Sequence, residues 1–288
     1  MRGETIASGC PTEDTSVAMQ KILMSVDGSF AAEAGARYAL ALAKACGAEL
    51  DLLFVAGDQS AGAMKRAEES LLRLLRQAHG LGLTSRSVTE IGDPIRAMRD
   101  YVTREGITLA MASVTGPEVA RRLLREVPCA MLLVRVVHPG RMASPHEILV
   151  PVYGGEFEGG GLEAAADLLA NLGEFWHARV VLFRLRQPLT RLFDRPRFGE
   201  ETPEQAERTL HPFIAALSRR GLAPGTRVSW GRRHGPGITA EAAARRHDLI
   251  FLGTKGPKSV LQWLRRGTVD HVVRKSPCDL MLFRPAAA

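Results

Sequence analysis

The stretch that decides the fold lies at residues 248–284, DLIFLGTKGPKSVLQWLRRGTVDHVVRKSPCDLMLFR. Apolar runs at 249–252 and 280–283 predict two buried strands, with a loop and a short amphipathic helix between them. The loop glycines are Gly253, Gly256 and Gly267, and Thr268 follows the last of them. A glycine loop that leads into a helix N-terminus presents free backbone N–H groups, and the helix dipole there favours negative charge. The stretch therefore predicts a strand–loop–helix–strand unit that binds phosphate.

The start and the end of this unit both recur earlier in the chain. KILMSVDG at 21–28 matches EILVPVYG at 147–154, and VPCAMLLVR at 127–135 matches SPCDLMLFR at 276–284. Each copy begins with the first motif and ends with the second, so the chain is predicted to be two tandem copies of one domain. The predicted organisation is a loose tail at 1–19, domain one at 20–137, a proline- and glycine-bearing linker at 138–145, and domain two at 146–285.

Strands and helices alternate in both copies. The predicted strands lie at 22–26, 50–55, 84–91, 108–112 and 130–134 in domain one, and at 148–152, 179–185, 227–230, 249–252 and 280–283 in domain two. Strands that are apolar throughout and separated by helices are typical of a parallel sheet covered on both faces. The predicted fold is α/β, with two tandem Rossmann-like domains, each a five-stranded parallel sheet whose ligands bind at the carboxyl ends of the strands.

The composition excludes several classes of protein. No apolar run approaches the ~20 residues that span a bilayer, and the polar N-terminus lacks the pattern of a secretory signal. The 4 cysteines form no CxxC pair, so neither a zinc site nor a disulfide framework is expected, and a reduced cytoplasmic setting fits. The net charge of +7 comes largely from arginine pairs in the second half. Without a nucleic-acid motif we expect a solvated surface and no specific nucleic-acid partner.

Motifs of independent catalysis are also missing. The sequence contains no GxSxG elbow, no HExxH and no paired Cys/His ligand set. We therefore expect no catalytic residue and no built-in metal, and any ATP hydrolysis would be slow and incidental.

At this point the chain resembles the universal stress protein family in its tandem two-domain form. The motifs that carry the resemblance are ILMSVDGS at 22–29, GDP at 92–94 and the run from 248 to 283. The family's ATP-binding members have a Gly-x2-Gly-x9-Gly-Ser/Thr pattern and an aspartate after the first strand that contacts the nucleoside. Family members are often dimeric.

In domain two the resemblance places the phosphate pattern on Gly253, Gly256, Gly267 and Thr268, with ten residues rather than nine between the second and third glycines. It also implies contacts with the nucleotide from Pro151 and Val269. Lys255, in the loop, either meets phosphate oxygens as a point charge or is an exposed surface lysine. The aspartate position is occupied by Tyr153, which either stacks on a base or fills the pocket. Asp270 either approaches a magnesium ion that ATP carries, or caps the helix and complements the dipole in its first turn.

Domain one has the opposite pattern, because it keeps Asp27 and Val55 as remnants of a nucleoside site but lacks the glycine loop. From Gly116 to Pro128 is 12 positions, whereas the matching interval in domain two is nine residues longer. Three interpretations follow. The two half-sites join across the domain interface, domain two holds one altered nucleotide site, or neither half works and the protein acts through its surfaces.

The sequence thus predicts a stress-response regulatory protein that binds an adenine nucleotide, ATP with its Mg²⁺, in domain two. The alternative is a scaffold that binds no nucleotide and acts through protein–protein contacts with an unknown partner. The two domains are expected to pack as an intramolecular pseudo-dimer, and a further homodimer stays open. We expect the arginine-rich segment 186–202 to be a partly ordered loop against the domain surface.

Overall fold

The computed structural model describes residues 19–57, 61–139, 144–153, 157, 160–186, 203–254 and 267–286. Domain one contains β1 (Lys21–Ser25), α1 (Phe30–Cys46), β2 (Glu49–Ala56), α2 (Ala61–Gly80), β3 (Ser85–Ile91), α3 (Pro94–Glu105), β4 (Leu109–Ser113), α4 (Pro117–Glu126) and β5 (Ala130–Arg135). Domain two contains β6 (Glu147–Pro151), α5 (Gly160–Trp176), β7 (Arg179–Arg186), α6 (Pro203–Ser218), β8 (Gly225–Trp230), α7 (His234–Arg245), β9 (Leu249–Gly253), α8 (Thr268–Lys275) and β10 (Asp279–Arg284). The predicted α/β class and the repeat of element order are confirmed.

The two domains share one sheet. Its ten described strands run in the order β3-β2-β1-β4-β5-β10-β9-β6-β7-β8. All neighbours are parallel except β5 and β10, which pair antiparallel, with Leu282 opposite Leu133. Each domain therefore supplies five parallel strands, as predicted, but the two sheets join edge to edge. The antiparallel junction places the carboxyl ends of the domain-one strands and those of the domain-two strands on opposite edges of the sheet.

Local sequence signals explain the helix boundaries of domain one. The Asp93 side chain accepts a hydrogen bond from the Arg96 N–H, and Pro94 takes the first helical position, as the GDP motif predicts. Helices α1 and α3 end at Gly47 and Gly106, both in the left-handed conformation that glycine adopts without strain.

Side chains also bind the two domains together. The buried Arg284 guanidinium donates to the Val127 and Cys129 carbonyls of domain one, each at 2.6 Å, and loss of solvation lowers its pKa. The Tyr38 hydroxyl of α1 donates to Asp279 of β10 at 2.6 Å, and the Tyr38 ring packs edge-on against Trp176 of α5. The interface is thus built from buried polar contacts as well as from apolar surface.

Among the described residues, no helix is both long and apolar enough to cross a bilayer. Three cysteines fall within those residues, Cys46, Cys129 and Cys278, and all three are free thiols. Burial raises the pKa of the Cys278 thiol to about 12, so this thiol is protonated at neutral pH.

Candidate nucleotide site in domain two

The candidate site lies where β6 and β9 end side by side. These strands pair in parallel, and their last residues, Pro151 and Gly253, lie at the carboxyl edge of domain two. Both are buried, as are the following Val152 and Thr254. Two predicted site residues, Gly256 and Lys255, lie outside the described residues, as does nearly all of the arginine-rich segment.

The first glycine of the predicted phosphate loop is covered by an aromatic ring. A methyl group at Gly253 would overlap the ring of Phe157, which is only 8% exposed. The Phe157 ring in turn lies 4.8 Å from that of Phe213 on α6, measured between centroids. Gly253 is therefore required by the packing of Phe157, whether or not a phosphate ever approaches it.

Tyr153 lies at the other half of the candidate site, in the position of the family's aspartate. Its half-buried ring is tilted by 34° against the ring of His234, the first residue of α7, with centroids 5.1 Å apart. It also packs on the hydrophobic cluster that contains Leu185 and Ile238. The ring thus occupies the space beside the strand ends, and a base that stacked on it would have to approach from its remaining face.

Helix α8 begins in the way that the phosphate prediction requires. Gly267 precedes it with φ 71°, a left-handed conformation, and contributes no side-chain cap. The side chains of Thr268 and Val269 point into the protein and are 9% and 1% exposed. Because the N-cap residue is a glycine with no side chain to accept from them, the backbone N–H groups of the first turn are placed to meet an anion.

Asp270 lies in the first turn of α8, where a negative charge complements the helix dipole, as one of the two interpretations predicts. Its carboxylate also forms an ion pair with Arg121 of α4, across the domain interface. The guanidinium offsets a negative charge that would otherwise lie in the first turn of α8, close to any bound phosphate.

Domain one arranges its strand ends differently. Asp27 is exposed, and its Oδ1 accepts a hydrogen bond from the Ser29 N–H at 2.8 Å. Val55 is buried in the sheet. Where domain two has Gly253, domain one has Ser113, whose hydroxyl donates to the Ala31 carbonyl. Helix α4 follows only three residues after β4, so this domain has no room for a glycine loop.

The hypothesis that the two half-sites join across the interface is wrong. Asp27 follows β1 and Gly253 ends β9, and these strands are four positions apart in the sheet. At ~4.8 Å per strand the separation is about 19 Å along the sheet. The antiparallel junction also puts the two residues on opposite edges.

Sequence reasoning missed three residues of this region: Phe157, His234 and Arg121. Phe157 carries a weak signal, because it is the one aromatic residue in the glycine-rich run at 154–161. His234 and Arg121 carry none, since each contacts a residue more than 80 positions away. Within the described ranges, no cluster of three or more His, Cys, Asp or Glu side chains could hold a metal ion.

Comparisons with known proteins agree with the repeat. A model of the universal stress protein family matches the chain twice, at residues 19–135 and 145–284. Among solved structures, a universal stress protein from Archaeoglobus fulgidus is 16% identical with a TM-score of 0.66, and the alignment covers 93% of this chain and 98% of that one. A protein of unknown function from Pseudomonas aeruginosa PAO1 is also 16% identical, with a TM-score of 0.62 and coverages of 93% and 94%.

The same fold occurs in a different setting. The cytoplasmic domain of a prokaryotic cation chloride cotransporter is 12% identical with a TM-score of 0.58, covering 93% of this chain and 96% of that one. At these identities the structural matches establish the fold alone. No curated protein matches the chain. The family model, however, matches nearly the whole length in two copies, and the chain therefore belongs to the universal stress protein family.

Proposed function

We propose that the chain is a stress-response regulatory protein that binds an adenine nucleotide at the carboxyl edge of domain two. The observation that carries the proposal is the start of α8, where Gly267 adopts a positive φ and leaves the first turn without a side-chain cap. This turn follows a strand end in a parallel sheet, which is where α/β proteins bind phosphate. No catalytic step is proposed for the chain. A cytoplasmic location is proposed because the described thiols are free.

The triphosphate would be held by the backbone at the start of α8. N–H groups at Thr268 and Val269 supply neutral donors, and Arg121 offsets the charge of Asp270 next to them. Mg²⁺ would arrive with the nucleotide. Binding by backbone groups and a helix dipole tolerates a change in the loop that precedes the helix, such as the tenth residue between Gly256 and Gly267.

The nucleoside would meet aromatic side chains in place of the family's aspartate. Tyr153 already packs on His234, and Phe157 lies over Gly253. A nucleotide that contacts the backbone at Gly253 must displace the Phe157 ring from Phe213. Loss of one aromatic pair costs about 1 kcal/mol, so we expect affinity about fivefold to tenfold below that of a site without this ring.

Calorimetric titration of the full chain with MgATP tests the proposal directly. We expect binding in the wild type and tighter binding in Phe157→Ala, because the displaced ring is gone. Phe30→Ala is the matched control, since Phe30 is the aromatic residue after the first strand of domain one and is 63% exposed. It should leave the affinity unchanged. Nucleotide that copurifies with the protein, identified by chromatography, would support the same conclusion.

A scaffold that binds no nucleotide is the second candidate, and the packing of Phe157 favours it. The Phe157 ring is buried beside Gly253 and packs on Phe213, as a side chain of a permanent hydrophobic core would. In that case neither the wild type nor Phe157→Ala would bind MgATP, and neither melting temperature would rise with nucleotide. That pair of results would overturn the nucleotide proposal.

A further inference from the structure

A cleft of about 370 Å³ lies far from the candidate nucleotide site, at the amino ends of β9 and β10. Residues of both domains and of the linker line it. Its polar lining includes Tyr38, His138, Ser144, Arg246, His247, Asp248 and Asp279. Because β6, β9 and β10 run parallel to one another, this edge of domain two is the opposite edge from the one that holds Gly253.

His247 is the unusual member of this lining. The residue is 5% exposed, and among the described residues its Nε2 has no hydrogen-bond partner. Its Nδ1 lies 3.5 Å from Glu147 Oε2, which is an ion pair only if the ring is protonated. Burial lowers the pKa of His247, so the ring is neutral at neutral pH. A buried ring nitrogen without a partner destabilises the folded state, and the matching position of domain one holds the apolar Ile107.

The neighbouring Arg246 carries a second cost. It ends α7 in the left-handed conformation with φ 56°, donating its N–H to the Ala242 and Ala243 carbonyls. Helix α3 of domain one ends at the matching position with Gly106, which is free of that strain. A non-glycine residue held in this region is strained, and such strained residues concentrate at functional sites.

Comparison of the repeats shows that the same fold forms with different side chains at these positions. Asp248 Oδ2 accepts from the His146 N–H as well as from the Glu147 N–H. Domain one has Gly106-Ile107-Thr108 where domain two has Arg246-His247-Asp248. Thr108 Oγ1 accepts from the Lys21 N–H, and Asp248 Oδ2 accepts from the matching Glu147 N–H, so either residue satisfies the backbone. The change from threonine to aspartate therefore adds a charge that the backbone does not need.

The charge of the cleft favours a cation. Asp248 and Asp279 are half-buried carboxylates, and the Tyr38 hydroxyl donates to Asp279 because burial and that carboxylate raise its pKa and keep it protonated. Domain one has Ala130 in place of Asp279. Arg246 is exposed, so solvent screens its charge more strongly than it screens the two carboxylates. The neutral His247 ring lines the same cleft and brings a hydrogen-bonding group to it.

We propose that this cleft is a binding site for a small molecule with an ammonium group, held between the Asp248 and Asp279 carboxylates and the His247 ring. The site is independent of the nucleotide proposal, because it lies on the other edge of the sheet and shares no residue with it. The ammonium group would supply the partner that the buried imidazole lacks.

Butylammonium and butyrate are matched probes, equal in length and opposite in charge. We titrate each into the full chain, with ¹⁵N-labelled histidine, and follow the His247 ring nitrogens by NMR. Butylammonium should shift the His247 resonances in a saturable manner, and butyrate should not. Equal shifts of the His247 resonances from both probes would overturn the proposal. So would the absence of any shift with butylammonium at every concentration below that at which it alters the bulk solvent.

A transplant of the domain-one residues provides the variant. Arg246→Gly, His247→Ile and Asp248→Thr together recreate the sequence that domain one folds with, so the far-UV circular dichroism spectrum should be unchanged. The dissociation constant for butylammonium, measured calorimetrically, should weaken at least tenfold. His271→Gln, in α8 and outside the cleft, should leave it unchanged. Unweakened binding in the transplant would show that the amine binds elsewhere.

Discussion

Domain one ends α1 and α3 with Gly47 and Gly106, whereas domain two ends the matching helices at His177 and Arg246, with φ 50° and 56°. The turns have the same left-handed backbone conformation in both domains, but in domain two non-glycine residues adopt it, and their side chains make it strained. The difference shows that the geometry of the repeat is set by helix and strand packing and survives unfavourable residues at the turns. The sequence is therefore free to diverge at these turns, which lead into the amino ends of the strands.

At the carboxyl ends of the strands, the two domains differ in whether a helix or a strand carries the glycine that makes room for a neighbouring side chain. Domain one has Ser113 on β4 and Gly35 on α1, where a methyl group at Gly35 would overlap the Ser113 hydroxyl. Domain two has Gly253 on the strand, and Phe157 fills the space. Each edge is close-packed by a different pair, so a change that suits one domain should damage the other.

The largest predicted effect is at the interface that joins the domains. Arg284→Ala should lower the free energy of unfolding by about 3 kcal/mol, because the buried Val127 and Cys129 carbonyls lose their donor and a cavity remains. Arg135 is the matching residue of domain one and is only half-buried. Arg135→Ala should lower the same free energy by about 1 kcal/mol or less. Equal losses in urea denaturation would show that the two halves of the interface are equivalent.

Gly253→Ala should be the next most harmful change, at about 2 kcal/mol, since the added methyl group meets the buried ring of Phe157. Phe157→Ala in the same chain should remove most of that penalty, so the two substitutions should be strongly non-additive. Ser113→Ala is the control, because it keeps the Cβ and removes only the hydrogen bond to Ala31. If the two substitutions proved additive in thermal unfolding, Phe157 would not be the residue that requires the glycine.

The repeat made the fold predictable, because alternating apolar strands and the matched motifs fix element order and parallel pairing. The edge-to-edge junction was not predictable from the same signals, since the apolar pattern of β5 and β10 fits a buried strand in either direction. The start of α8 followed from Gly267-Thr268, a local signal. Phe157 over Gly253 and His234 against Tyr153 are contacts between distant segments, and single-sequence periodicity contains no information about them.

His247→Ile should stabilise the protein, by about 1 kcal/mol at neutral pH, because Ile107 already occupies the matching position of domain one. The gain should be larger at pH 5 than at pH 8. Burial lowers the pKa of the folded His247 below 6.5, so as the pH falls through 6.5 the unfolded chain binds the proton first and wild-type stability declines. Isoleucine lacks this proton uptake.

The measurement is the difference in unfolding free energy between the two proteins at each pH. Taking the difference cancels the titrating groups that do not interact with His247. The acidic groups that do interact with it are Glu147, whose carboxylate lies 3.5 Å from the ring, Glu241 and Asp248. Ile107→Val, a change of one methylene at the matching site of domain one, should give a pH-independent difference. A His247→Ile difference that is constant with pH would mean that the folded imidazole titrates normally.

The smallest predicted effect is at His177, which ends α5 in the strained left-handed conformation and has no candidate ligand site beside it. His177→Gly should raise the free energy of unfolding by about 0.5–1 kcal/mol, because glycine removes the left-handed strain at φ 50°. The reciprocal Gly47→His should lower it by a similar amount, since a side chain at Gly47 meets no atom within 4 Å and only the backbone opposes it. Opposite signs of similar size, measured by thermal unfolding, would establish that the two turns are equivalent. A stabilising Gly47→His would instead mean that side-chain contacts, rather than backbone conformation, decide which residue ends the first helix of each domain.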